Sequence, residues 1–261
     1  MEQTIRNDLS ISGSGSAPGG MYEDVKVNGS GTIQGDLDCI LFKSNGSAKV
    51  IGQVIAREVK INGSAKIQGS VTADEVTIMG SGTIEKSLAC QELSINGSAT
   101  VAGSAEAKEC EVNGSATFKS DLTGDDISIR GRASIEGNCS AEHFYAKGQF
   151  KIEGLLNAES VEVDLYGECN AKEIGGMSVK VKNTEFASPW KKILRKLFPS
   201  SDDRLTSDLI EGDHIVLENT SAKIVRGDTV VIGKGCDIQL VEYKSSLDVR
   251  SGSSVAEEKK I

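Results

Sequence analysis

Large rings are scarce in this chain. Aromatic residues make up 4% of its 261 positions, and histidine occurs only at His143 and His214. A core built here must be aliphatic, and little imidazole is available for acid–base chemistry. Cysteine occurs six times with no CxxC pair, so no zinc site is expected and the cofactor and metal expectation is none. Basic surplus is absent too: 29 Lys and Arg stand against 38 Asp and Glu, for a formal charge of −9. That argues against nucleic acid, whose phosphates need a concentrated basic surface. No apolar run approaches membrane-spanning length, and MEQTIRNDLSISGSG has no charged-then-apolar leader. The expected compartment is therefore the cytoplasm, and the Asn-Gly-Ser tripeptides are not expected to be glycosylated. Proline is almost missing, at 3 residues, while glycine is plentiful, at 29. Glycine without proline does not mark a disordered tract; it marks positions where backbone geometry matters.

Those glycines are periodic. Gly29, Gly46, Gly63, Gly80, Gly97, Gly114, Gly131 and Gly148 stand 17 residues apart. Counting from each, aliphatic residues recur four and two before (Val59 and Ile61 ahead of Gly63) and four and eight after (Ile67 and Val71). Small residues recur two and ten after, as at Ala65 and Ala73. Three alternating segments per period mean three short strands, each with one buried face. The corners between them fall at the repeat glycine, at a second glycine six later in six of eight units, and at an acidic position twelve later (Glu58, Glu75, Glu92, Glu109, Asp126). The pattern predicts an all-β, triangular parallel solenoid whose coils stack about 4.8 Å apart. At its first corner, glycine is expected to take a backbone conformation that no side chain tolerates, with asparagines stacking on one another.

Five cysteines, Cys39, Cys90, Cys110, Cys139 and Cys169, fall on inward columns and read as small reduced hydrophobes. His143 falls at the outer acidic corner and reads as a solvated surface position, not a catalytic base. The acidic column lacks the dense oxygen shell of a calcium site and reads as a solvated ridge. No enzyme is expected.

The repeat breaks at NTEFASPWKKILRKLFPSSDDR. Here Trp190, Ile193, Leu194, Leu197 and Phe198 sit at helical spacing between Pro189 and Pro199, with Lys191, Lys192, Arg195 and Lys196 on the other face. A short basic amphipathic helix is expected, docking on the solenoid or contacting the inner face of the cell membrane. The organisation predicted is a flexible N-terminus (1–8), a β-helix of 17-residue coils (9–182), a linker with the helix (183–208), additional β coils (209–243) and a tail (244–261).

The columns, written V-x-[VI]-x-G-S-[AG]-x-[IV]-x-G, resemble the bactofilins, bacterial cytoskeletal proteins that form polymers. The match covers residues 9 to 181; the region from Asn183 on departs from the usual single β-helix with flexible ends. The resemblance implies a right-handed parallel β-helix and nucleotide-independent filaments of this chain, with a related paralogue as a co-polymerising partner. It also implies a scaffold role in cell shape, envelope or appendage organisation, including motility. The alternative is a non-polymerising β-helical binding module capped by its own C-terminal region.

Overall fold

The computed structural model describes residues 6–183 and 203–261. Among these, every regular element is a strand, 22 in all, and every strand pairing given below is parallel. The fold is a parallel β-solenoid. The predicted helix at Trp190–Phe198 lies outside the described residues.

Contacts divide the chain into two compact units, Met1–Asp126 with Arg132–Gly137 and Ile127–Gly131 with Asn138–Ile261. In the first unit the 17-residue register is strict. Val54 pairs with Val71 and Ile61 with Ile78, Val71 with Leu88 and Ile78 with Ile95, and Ser98 with Ser115. Each residue therefore lies against its equivalent one coil away, and every aliphatic column becomes a continuous stripe of core. Val59, Ile61, Ile67, Val71, Val76, Ile78 and Ile84 are all at most 1% exposed. Burial of each side chain of this size contributes about 1.5–3 kcal/mol.

The predicted three segments per coil are present, but two of them join. Val54–Ile61 and Val71–Ile78 each run as one eight-residue strand, followed by a four-residue strand such as Ser64–Ile67. The acidic corner lies inside the long strand: Arg57 and Glu58, then Asp74 and Glu75, are consecutive outward residues that break the inward–outward alternation. Hydrogen bonding between coils continues around this bend, because Glu58 pairs with Glu75.

The second unit keeps the winding and loses the metre. Cys139 pairs with Leu156, 17 residues on; Val161 with Val179, 18 on; Ile215 with Val230, 15 on. Val179 pairs with Ile215, 36 on. The strand Glu168–Asn183 is paired by Arg204–Leu217, with Glu168 opposite Arg204. Strands continue through residues 244–261, in Asp237–Val249 and Ser254–Lys260. Phe144 and Phe150 meet edge to face, with ring centres 5.4 Å apart, filling a width that aliphatics fill elsewhere.

All six cysteines are buried and form no disulfide with one another, including Cys236, which the repeat does not reach. Burial pushes the thiols of Cys39, Cys90, Cys110 and Cys169 up to about 12, so the reactive thiolate is suppressed at neutral pH.

Candidate functional site

The corner at the repeat glycine is a hydrogen-bond ladder. The N–H of Ser64 donates to the Gly46 carbonyl, Ser81 to Gly63, Ser98 to Gly80 and Ser115 to Gly97, each at 2.8 Å. The two residues before each serine share one acceptor: Asn62 and Gly63 both donate to the Ser44 carbonyl, at 2.8 and 3.0 Å. No backbone donor of the tripeptide is left over, so the turn is satisfied entirely by the preceding coil. The glycine is required here for a different reason from the one expected. None of the eight repeat glycines has a positive φ. Instead a methyl group on Gly46 would strike the Gly29 carbonyl oxygen, one on Gly63 that of Gly46, and one on Gly148 that of Gly131. Close stacking of successive backbones excludes a side chain. Left-handed glycines occur at other corners, at Gly35 (φ 116°), Gly167 (φ 93°) and Gly235 (φ 81°).

The stacked asparagines are confirmed as a chain of amides. Asn45 Nδ2 donates to Asn28 Oδ1 at 2.7 Å, Asn62 to Asn45 at 2.8 Å, and Asn113 to Asn96 at 3.0 Å. Met79 occupies the missing rung, 61% exposed, and Asn96 turns to Ser94 Oγ instead. Ser44 stands in a column of aliphatics and is fully buried. Its hydroxyl donates to the Ser64 carbonyl at 2.9 Å, so it stays satisfied.

The acidic column is a surface ridge. Glu58, Glu75, Glu92 and Glu109 pair directly in register from coil to coil. Some of that charge is answered within a coil, where Lys60 bridges to Glu58 and Thr77 Oγ1 donates to Glu75 at 3.0 Å. Beside the ridge runs a shallow open groove of about 580 Å³, lined by Ile55, Thr72, Asp74, Cys90 and Lys108 among others. It holds no histidine and no activated nucleophile. Among the described residues no group of three or more His, Cys, Asp or Glu could hold a metal ion. His143 is exposed, and His214 Nδ1 lies 2.6 Å from Thr229 Oγ1.

Two strands are paired on one side only among the described residues. Asn7–Ile11 pairs with Ser14–Val27 on one side, and Ser254–Lys260 pairs with Asp237–Val249 on one side. Neither has another substantial strand partner among the described residues. An open edge presents N–H and C=O groups that can accept another strand. A four-membered column of alternating charge ends at the second of these edges: Arg226 Nε donates to Glu242 Oε2 at 2.8 Å, and Lys259 Nζ to Glu242 Oε1 at 2.9 Å. Arg226 also reaches Glu211 at 3.4 Å. These two donors hold the Glu242 carboxyl below its ordinary value. Sequence reasoning missed this column because its members are 15, 16 and 17 residues apart, not a fixed interval. The candidate contact residues Trp190–Phe198 lie outside the described residues. No described helix is long and apolar enough to cross a membrane.

Residues 65–140 match the model of the Bactofilin family, described as polymer-forming cytoskeletal. Two uncharacterized proteins of Bacillus subtilis (strain 168) are similar to this chain. YhbF is 35% identical over 92 residues and YhbE 40% identical over 89. These alignments cover 35% and 34% of the chain, and 35% of each relative, so about a third of the relatives' length is matched. No solved structure gives a match. The matched residues lie within the coils of strict 17-residue register, and over that stretch the chain is similar to the Bactofilin family.

Proposed function

We propose that this chain is a cytoplasmic structural scaffold that assembles end to end into filaments without a nucleotide. The observation that carries the reading is that Asn7–Ile11 in the first unit and Ser254–Lys260 in the second are each strand-paired on one side among the described residues. Stacking a second copy on such an edge continues the same backbone ladder, at no cost in new architecture. Its coils wind right-handed, as connections between parallel strands nearly always do. The filament serves cell shape, envelope or appendage organisation, flagella among them, and a related paralogue joins it. It performs no catalysis. Electron microscopy of purified protein without nucleotide tests this: fibres are expected, and dispersed single particles at high concentration would overturn it.

One observation favours the alternative of a capped, non-polymerising binding module. Ser254–Lys260 is charged at four successive positions, Glu257 to Lys260, and charged edges usually deter pairing. The same microscopy separates the two readings. The segment Trp190–Phe198 contributes a further contact, at the inner membrane surface or on the solenoid. If W190E/L194E protein sediments with membranes as well as the parent does, the segment is not an anchor.

A further inference from the structure

Every rung of the asparagine ladder contains a chemically labile step. Glycine has no Cβ, so in an Asn-Gly pair its nitrogen is open to attack the asparagine Cγ. The new C–N bond closes a succinimide ring, the bond from Cγ to Nδ2 breaks, and Nδ2 leaves as ammonia with the proton that the glycine N–H gives up. Water then opens the ring at either carbonyl. The balance is one amide and one water giving one carboxylate and one ammonium ion. The main chain afterwards runs through the original carbonyl, as aspartate, or through the side-chain carbonyl, as isoaspartate. Such steps stand at Asn28, Asn45, Asn62, Asn96 and Asn113. All these asparagines are exposed, so water reaches each alike and stacking decides which can react.

Two hydrogen bonds restrain a rung. The glycine N–H, which must surrender its proton, donates to the preceding coil: Gly114 to the Ile95 carbonyl at 2.9 Å, Gly97 to Ile78 and Gly63 to Ser44 at 3.0 Å, Gly46 to Val27 at 3.1 Å and Gly29 to Ile11 at 3.2 Å. The departing Nδ2 is held as well, that of Asn45 by Asn28, of Asn62 by Asn45, of Asn113 by Asn96, and of Asn96 by Ser94 Oγ. Asn28 differs on both counts. Its glycine makes the longest of these bonds, and the preceding coil carries Ser12 where an asparagine would stand. Among the described residues Asn28 enters the ladder as an acceptor only. The bond it does make, from Asn45 Nδ2 to its Oδ1 at 2.7 Å, draws electrons toward that oxygen and favours attack at Cγ. We propose that Asn28–Gly29 is a self-modifying site, which converts to aspartate or isoaspartate with water as co-reactant, while stacking keeps the other Asn-Gly steps intact. An aspartate at this rung still accepts from Asn45. An isoaspartate lengthens the main chain by one carbon and lifts Gly29 off the Gly13 carbonyl on which it is packed.

The test incubates the folded 261-residue chain at mildly alkaline pH and follows conversion by tryptic peptide mapping and mass spectrometry. Lys43, Lys60, Lys86 and Lys108 fall between the successive Asn-Gly steps, so each is read on its own peptide. Asn28 should convert roughly fivefold faster than any of the others, the effect of one hydrogen bond at an exposed group. In denaturant all should convert at similar rates, because only the fold distinguishes them. S12N supplies the missing acceptor: it should slow Asn28 to the rate of its neighbours and make residue 12, now the first rung, the reactive one. S12A should leave Asn28 as fast as in the parent. Ser12 is exposed, so unchanged circular dichroism is expected of both variants. Equal rates at all steps in the folded chain, or an Asn28 that S12N does not slow, would overturn the proposal. The second outcome would mean that Asn28 reacts because its coil opens, not because its amide lacks a partner.

Discussion

The two units handle surface charge in opposite ways. In the first, like charges stack from coil to coil: Glu58 on Glu75 on Glu92, and Lys26 on Lys43 on Lys60. Within these columns neutralisation happens along a strand, where Lys26 bridges to Asp24 at 2.6 Å and Lys60 to Glu58. In the second, opposite charges stack, Glu211 on Arg226 on Glu242 on Lys259, and Lys223 reaches Asp208 of the preceding coil at 2.8 Å. A strict repeat copies each residue onto itself, so an identical charge necessarily faces an identical charge. Only where the repeat is relaxed can one column carry different residues and attract along its length. In the first unit the stacked charge columns add no attraction between coils, and opposite charges from different coils meet off those columns, as at Lys66 and Glu85, 2.7 Å apart; in the second the stacked column itself is attractive and open to pH and salt.

The largest effect should come from the backbone stacking that the first unit depends on. Gly63→Ala drives a methyl into the Gly46 carbonyl, and the coils must separate or shift to admit it. A loss of about 3 kcal/mol is expected in denaturant unfolding. Gly13→Ala is the control, because a methyl there meets nothing within 4 Å; a change of more than about 0.5 kcal/mol would be unexpected. Equal effects at both positions would show that the corner needs glycine for flexibility and not for close approach.

That distinction marks what could be read from residues alone. The period, the inward columns and the burial of Cys39, Cys90, Cys110, Cys139 and Cys169 follow from alternation, which states plainly which face a side chain takes. The reason for Gly46 does not, because one sequence pattern serves both a left-handed turn and a tight stack; only the φ values and the approach of the Gly29 carbonyl separate them. The acidic corner at Glu58 is visible as two successive polar residues, yet nothing in it says that the strand continues through the bend. The Glu211–Lys259 column was illegible because its register depends on where each irregular turn absorbs or sheds a residue.

The second unit's column should respond to acid. Glu242 accepts from Lys259 and Arg226, which lower its carboxyl below the ordinary 4.5. A carboxyl lowered in the folded state binds its proton more readily when unfolded. The stabilisation is therefore complete above the unfolded value and is lost as pH falls through the lowered folded one. E242Q should melt below the parent at neutral pH, and the gap should close as the pH is taken well below 4.5. A gap that stays constant with pH would mean that the carboxylate charge contributes nothing. The reciprocal change grafts alternation into the first unit. E92K places a base between Glu75 and Glu109 and should raise stability by about 0.5 kcal/mol at low salt. The gain should fade in about 1 M salt, where screening is nearly complete; a gain that survives such salt would point to packing by the longer side chain.

The smallest effect concerns the amide ladder, where the strict repeat helps instead of hindering. Like charges repel when copied, but an amide carries both a donor and an acceptor, so copying it creates a bond. Asn28, Asn45 and Asn62 form one run and Asn96 and Asn113 another, and Met79 separates them on the exposed corner. Met79→Asn should let residue 79 donate to Asn62 and accept from Asn96, drawing Asn96 away from Ser94 Oγ. Two exposed amide bonds replace one side-chain contact and an exposed thioether, so a gain of about 0.5 kcal/mol is expected. Met79→Gln is the discriminating partner. It carries the same amide one methylene farther out, beyond the column in which the asparagines meet, and should gain nothing. If both substitutions stabilise equally, the benefit comes from removing an exposed methionine, and the ladder is a consequence of stacking with no part in holding the coils together.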